Sequence, residues 1–98
     1  MAHSIETIKQ VVSAAADGAD IVRAYLFGSY ARGEADDSSD IDLCIETGPS
    51  FSLFNAGAFA YNVERALGTS VDVTTERSLF PATRASMLAD RVLIYERP

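Results

Sequence analysis

Two aspartates in alternate positions are the residues of this 98-residue chain whose types and spacing could do chemistry. Asp40 and Asp42 lie in the segment Ser-Asp-Ile-Asp-Leu at positions 39–43. Residues i and i+2 of a strand point to one side, with Cα atoms roughly 6.5–7 Å apart, so both carboxylates can approach one ion. Two unit charges about 6 Å apart repel by about 3 kcal/mol at an effective dielectric constant of about 20. A divalent cation would offset this repulsion, and oxygen-only ligands favour Mg²⁺ or Mn²⁺ over zinc.

A turn of small residues precedes the aspartates and could bind the substrate of such a metal ion. Gly28 and Ser29 directly follow an apolar run at positions 21–27, and a short helical turn is predicted from Ser29. A glycine lets a phosphate approach the backbone, and N–H groups at the start of a helical turn attract anions. The segment therefore predicts a site for a nucleotide and a metal ion. Arg32, the basic residue of the segment, is expected either at the surface or against a phosphate.

A third aspartate lies farther along the chain, on another predicted strand. Positions 71–75 alternate, with Val71 and Val73 on one face and Asp72 on the other. If this strand neighbours the strand of Asp40, Asp72 completes the set of carboxylates. Asp36 and Asp37, in contrast, are expected to be turn residues.

The rest of the sequence predicts the elements that position these residues. Hydrophobic periodicity and turn residues indicate helices from Ser4 towards Gly18, over 52–67 and over 81–89, and strands over 21–27, 40–46, 71–75 and 92–95. We expect an α/β (α+β) sandwich in which one mixed sheet carries helices packed largely on one face.

The helix predicted over 52–67 has an unusually broad apolar surface. Its apolar residues cover more than one stripe, which predicts contacts on two sides. The aromatic residues of this region are expected mainly in the core, namely Phe51, Phe54, Phe59 and Tyr61. A domain this small cannot bury every apolar face, so part of this helix could also serve a partner.

Composition narrows the class of protein. The net charge is −6, and the basic residues are scattered, so binding to duplex nucleic acid or to an anionic membrane is not expected. Cys44 is the single cysteine, which excludes an internal disulfide framework, and we expect it to pack as a small hydrophobic residue. No apolar run approaches the about 20 residues that span a bilayer, and no signal-peptide pattern is present. We expect one soluble cytoplasmic domain over residues 1–98.

Competing motifs fail on individual residues. Gly28 and Gly33 have the glycine spacing of a P-loop, but Glu34 stands where the phosphate-binding lysine should be. An EF-hand loop starting at Asp36 would have Ile41 in place of its turn glycine. The only histidine lies at position 3, near an end expected to be mobile, so a Ser-His-Asp site has no suitable base.

The combined pattern resembles the signature of the minimal nucleotidyltransferase (MNT) domains of the polymerase-beta-like superfamily. The resemblance rests on Gly-Ser-Tyr-Ala-Arg-Gly at 28–33, Ser-Asp-Ile-Asp-Leu at 39–43 and Val-Asp-Val at 71–73. It covers essentially the whole chain, because the segment 81–96 is also similar to the C-terminal helix and strand of the family. The resemblance implies the nucleotidyltransferase fold.

The resemblance also implies roles for these residues. Gly28 and Ser29 would bind nucleotide phosphates, Asp40 and Asp42 would be metal ligands, and Asp72 would be a metal ligand or the general base. Members of this family are often antitoxin partners of HEPN-domain toxins, some of which they inactivate by transferring AMP from ATP to a tyrosine.

We therefore expect a Mg²⁺-dependent nucleotidyltransferase that uses an NTP, with ATP expected, and a hydroxyl group of a partner protein, a HEPN-type toxin. Two alternatives stay open. One is a non-enzymatic antitoxin with a vestigial site, and the other is a transferase that acts on a small-molecule hydroxyl.

Overall fold

The computed structural model of the chain describes residues 2–75 and 78–98. Helices and strands alternate over this part in the predicted order: α1 Ile5–Ala16, β1 Ile21–Phe27, α2 Gly28–Arg32, β2 Ile41–Thr47, α3 Leu53–Leu67, β3 Val71–Thr75, α4 Pro81–Asp90 and β4 Val92–Glu96. The predicted elements are thus confirmed, with small differences at their ends. One difference concerns the site, since β2 begins at Ile41 and Asp40 lies directly before it rather than inside it.

The four strands form one mixed sheet in the order β3-β2-β1-β4. β1 is antiparallel to both of its neighbours, whereas β2 and β3 are parallel. The starts of β2 and β3 therefore lie at the same edge of the sheet as the end of β1. The residues predicted to form the functional site lie at this edge.

The helices begin and end where the local sequence can satisfy their backbone groups. The backbone N–H of Thr7 donates to Ser4 Oγ over 3.1 Å, which caps α1. Ser52 and Asn55 form a reciprocal capping box at the start of α3. Gly68 ends α3 with a left-handed φ of 65°. None of the helices within residues 2–75 and 78–98 has the length and hydrophobicity needed to span a bilayer.

The main core lies between one face of the sheet and the helices α1 and α3, which pack against each other. Side chains of alternate strand positions and of one side of each helix fill it, including Ile8, Val12, Leu26, Ile41, Leu43, Ile45, Phe59 and Val63. Because strand side chains alternate, the residues between these positions lie on the other face of the sheet. That other face carries Asp42 and Cys44. α4 contacts α2, and its buried Met87 lies outside the main core cluster.

Only one side of α3 is covered in the part of the chain that the structure describes, so a contact on the second side stays a prediction, while the expected core placement is wrong for two of the aromatic residues. Phe59 and Val63 are buried, but Phe54 is 85% exposed and Tyr61 is 59% exposed. Phe54 and Tyr61 are therefore not core residues, whereas Phe51 is partly buried against the core. The physical reason is that α3 lies in the outer layer of the fold, so the sheet and α1 cover only its inward side.

Asp20 connects three chain segments by hydrogen bonds, at the edge of the sheet opposite the starts of β2 and β3. Its carboxylate accepts the backbone N–H of Ser50 over 2.6 Å and Arg97 Nη1 over 2.8 Å. The residue has a left-handed φ of 56°, which aspartate and asparagine tolerate better than most residues. The hydrogen bond from Arg97, followed by that from Ser50, lowers the pKa of Asp20 below its ordinary value of 3.8.

Replacing Asp20 with asparagine is expected to lower the melting temperature at pH 7. A lowered folded-state pKa means that the carboxylate stabilises the fold above pH 3.8 and that this contribution is lost as the pH falls through the folded-state value. Asparagine suits the same left-handed backbone, so the comparison isolates the charge. Thermal unfolding at pH 7 and below pH 3 measures the effect. A difference between the two proteins that stayed constant over this range would contradict the prediction.

Candidate functional site

Strand pairing brings two of the predicted aspartates together. β2 and β3 pair with Asp42 opposite Asp72, on strands that are about 4.8 Å apart. Partners in register point to the same face of a sheet, so both carboxylates lie on the face opposite α1 and α3. The predicted neighbourhood of the two acidic strands is therefore confirmed. On its other side, Asp42 pairs with Phe27 of β1.

Gly28 follows Phe27 and is in direct contact with the carboxylate of Asp42. A Cβ atom added to Gly28 would overlap Asp42 Oδ2 and would lie 3.3 Å from its Cγ. Gly28 also has a left-handed φ of 72°, which side chains other than glycine rarely adopt. Both the close approach and the backbone conformation therefore require glycine. As a result, the start of α2, with Gly28 and Ser29, is held next to the acidic strands.

The aspartates interact electrostatically. Burial, then the charge of Asp72, then that of Asp40, raise the pKa of Asp42 above its ordinary value of 3.8, while Arg32 acts in the opposite direction. Asp42 is half-buried and has two like charges near it. Asp40 and Asp72 are exposed. The three predicted carboxylates and Arg32 thus share one electrostatic cluster.

The neighbouring acid Asp36 has a different environment. Its Oδ1 accepts the backbone N–H of Ser38 over 2.9 Å, and the hydroxyl groups of Ser38 and Ser39 over 2.8 Å and 3.2 Å. These bonds lower the pKa of Asp36, with the Ser38 hydroxyl contributing most. Asp36 is therefore a turn residue, as predicted, and its Oδ1 is already used within the turn.

Arg32 is paired with two acids that the sequence did not single out. Its Nε donates to Glu34 Oε2 over 2.9 Å, and its Nη1 donates to Asp90 Oδ2 over 3.1 Å. The side chain remains 43% exposed, so it is a surface arginine at the edge of the cluster. One sequence signal could have pointed to Asp90, because an acid at the C-terminal end of a helix is locally unfavourable and suggests a tertiary partner.

The set of oxygen donors fits a hard divalent cation. Within the described ranges 2–75 and 78–98, no three His, Cys, Asp or Glu side chains are already grouped closely enough to form a metal site by themselves. Mg²⁺, however, is usually bound by one or two carboxylates together with substrate phosphates and waters. Asp42 and Asp72 face each other on neighbouring strands and can supply these two carboxylates. The repulsion between their charges favours binding of a cation. The assignment of Asp40, Asp42 and Asp72 as metal ligands stays a prediction.

Other reactive side chains lie away from this cluster or are enclosed. Cys44 is on the same face but only 1% exposed, as expected for a packed thiol. His3 is half-buried and its Nε2 lies 3.1 Å from Thr69 Oγ1. The ring is held in the turn between α3 and β3.

A cavity of about 740 Å³ lies near the far ends of β2 and β3, lined in part by Thr47, Thr75 and Arg84. Its lining begins at Ile45, three residues along β2 from Asp42, a distance of about 10 Å at the usual strand rise. The cavity therefore does not coincide with the acidic cluster, and we place the candidate site at the cluster.

Comparisons with known proteins identify the family of the chain. The nucleotidyltransferase domain family matches residues 5–94. A candidate protein adenylyltransferase of Methanocaldococcus jannaschii, MJ0435, is 42% identical over 73 residues, which cover 74% of this chain and 73% of that protein.

Solved structures show the same fold. The structure of a candidate minimal nucleotidyltransferase superposes with a TM-score of 0.78 at 31% identity, over 92% of this chain and 95% of that one. An MNT antitoxin, solved in complex with a tri-AMPylated HEPN toxin of Shewanella oneidensis, has a TM-score of 0.69 at 17% identity, over 95% of this chain and 73% of that one. These matches confirm the resemblance to minimal nucleotidyltransferases. The chain belongs to the nucleotidyltransferase domain family.

Proposed function

We propose that this nucleotidyltransferase transfers AMP from ATP to a hydroxyl group of a partner protein, in a Mg²⁺-dependent reaction, and thereby acts as the antitoxin of a HEPN-type toxin in the cytoplasm. The observation that carries the proposal is the placement of Asp42 and Asp72 on neighbouring strands, with Gly28 against Asp42. The relative named for protein adenylylation and the complex with an AMPylated HEPN toxin support the choice of nucleotide and of partner.

Each residue of the cluster has a role in this proposal. Gly28 and Ser29 hold the phosphates at the start of α2, and Arg32 adds a positive charge beside them. Asp40 and Asp42 would hold Mg²⁺, and Asp72 would be either a further ligand or the general base. When bound, the ion offsets the negative charge of the phosphates and of the carboxylates.

The transfer itself breaks one bond and forms one bond. The acceptor oxygen attacks the α-phosphorus of ATP, the bond from that phosphorus to the bridging oxygen breaks, and pyrophosphate leaves. The proton of the acceptor hydroxyl passes to a carboxylate, for which Asp72 is the candidate because it is exposed and can meet an incoming hydroxyl. Asp42, which is more enclosed, is better suited to holding the ion.

Incubating the purified chain with labelled ATP, Mg²⁺ and the protein encoded by the neighbouring gene tests the proposal. We expect label on the partner. Inhibition of the partner without label would instead support a binding antitoxin. Label on an added small-molecule alcohol, with none on the partner, would favour a transferase for small molecules.

The nucleotide site can be tested without a partner. A non-hydrolysable ATP analogue with Mg²⁺ is expected to raise the melting temperature of the wild type, because a ligand that binds only the folded state stabilises it. Asp40→Asn should show a much smaller rise, since it removes one proposed metal ligand. Asp17→Asn is the matched control, because Asp17 is an exposed acid at the end of α1. Equal shifts in all three proteins would remove Asp40 from the site.

A further inference from the structure

Asp90 occupies a position that its own helix does not favour. It is the last residue of α4, where its negative charge meets the negative end of the helix macrodipole. Its carboxylate is nevertheless directed at another element, since Oδ2 accepts Nη1 of Arg32 over 3.1 Å. Arg32 is the last residue of α2, whose first residues touch the acidic cluster. The pair Asp90–Arg32 therefore connects α4 to the candidate site.

Glu34 completes the environment of Arg32. It accepts the Nε group over 2.9 Å, so the two acids hold different edges of the guanidinium group. In the part of the chain that the structure describes, these bonds use two of the five N–H groups of Arg32, and the others can still donate to a phosphate.

We propose that Asp90 is a positioning residue that, together with Glu34, fixes the guanidinium group of Arg32 at the end of α2, the helix whose first residue lies against Asp42, so that Arg32 donates to the phosphates of the nucleotide. The inference rests on the proposed function, because it assumes that phosphates bind at Gly28 and Ser29. Asp90 acts through Arg32 and does not itself touch the nucleotide.

Positioning matters here because an arginine side chain has many rotamers. Fixing them before the ligand arrives reduces the entropy that binding must overcome. The guanidinium group is planar, and two contacts fix the direction in which its remaining N–H groups point, which suits a phosphate. Asp90 contributes this constraint from a helix, and Glu34 contributes it from the loop after α2.

A double-mutant cycle tests the inference. Arg32→Ala, Asp90→Ala and the double variant are compared with the wild type by kcat and KM for ATP in the labelling assay, and by calorimetric titration with a non-hydrolysable ATP analogue. We expect Asp90→Ala to lower kcat/KM and the affinity for the analogue about tenfold, as a misplaced binding group does. In the Arg32→Ala background the same change should cost less than about twofold, because Asp90 acts only through Arg32.

Two further variants serve as controls for the double-mutant cycle. Asp90→Asn retains an oxygen that can accept Nη1, so it should recover part of the loss. Glu96→Gln is the control for loss of a surface ion pair, since Glu96 accepts Arg23 Nε over 2.6 Å far from the cluster. It should leave kcat/KM unchanged.

The outcomes separate the inference from the proposed function. Equal losses from Asp90→Ala in both backgrounds would show a structural role and overturn the inference, as would no loss in either. If the wild type transfers no label, the proposed function fails, and the titration with the analogue still tests the positioning of Arg32. Lack of any effect of Arg32→Ala in either measurement would also overturn the inference while leaving transfer intact.

Discussion

Asp42→Asn is expected to reduce AMP transfer about 10³-fold, the equivalent of several kcal/mol of transition-state stabilisation, and to leave the fold intact. Asp42 is the aspartate at the centre of the cluster, between Phe27 on β1 and Asp72 on β3. Asparagine has nearly the same shape but carries no charge, so it should hold Mg²⁺ much more weakly. The labelling assay measures the loss.

The same substitution should raise the melting temperature when no metal is present. Burial and the charges of Asp72 and Asp40 raise the pKa of Asp42 above 3.8, so its ionised form is less favourable in the folded than in the unfolded chain. This cost is absent below pH 3.8 and is complete once the pH exceeds the folded-state pKa. The advantage of Asp42→Asn should therefore grow as the pH rises from 3 to 7.

Asp36→Asn provides the matched control in the same segment. Hydrogen bonds from Ser38 and Ser39 lower the pKa of Asp36, so its charge stabilises the fold and its loss should lower the melting temperature at pH 7. Transfer activity should remain close to that of the wild type, because Asp36 is an exposed turn residue whose Oδ1 is used within the turn. If Asp36→Asn abolished transfer, or if Asp42→Asn retained it, the assignment of Asp42 would be wrong.

Gly28→Ala is expected to have the second-largest effect, a loss of about 10²-fold in transfer, as a displacement of about 1 Å at a reacting site can cause. The added Cβ overlaps Asp42 Oδ2, so the carboxylate must move from its place against the start of α2. The left-handed φ of 72° adds a further cost of about 1–2 kcal/mol in stability. Transfer and thermal unfolding measure the two effects.

Gly18→Ala separates the stability cost of the left-handed backbone from the effect of the contact between Gly28 and Asp42. Gly18 has a similar φ of 79°, and no atom lies within 4 Å of an added Cβ. It should lower the melting temperature by the backbone cost alone, and so by less than Gly28→Ala, and leave transfer by the folded protein nearly unchanged. Equal transfer by both variants would mean that the contact of Gly28 with Asp42 has no role in the reaction.

Much of the fold could be predicted from short-range patterns. Alternation identified β2 and β3, and capping residues such as Ser4 and Gly68 marked the helix ends. These signals depend on neighbours a few residues apart, which the sequence displays directly. The predicted core placement of two aromatic residues of α3 was wrong because the amphipathic pattern of the helix does not reveal how many layers surround it. Exposure of Phe54 follows from the absence of a layer outside α3 in the described chain.

The sequence by itself determined the chemical groups of this protein: a glycine-serine turn after a strand, two alternate aspartates and a third on a later strand. Only the tertiary structure decided how the environments of these groups differ and which residues hold them in place. It set Asp42 opposite Asp72, pressed Gly28 against Asp42, and paired Arg32 with Asp90, which lies 58 residues away along the chain. The physical reason is that burial, charge coupling and such long-range pairs depend on strand register and on helix packing, which no local spacing specifies.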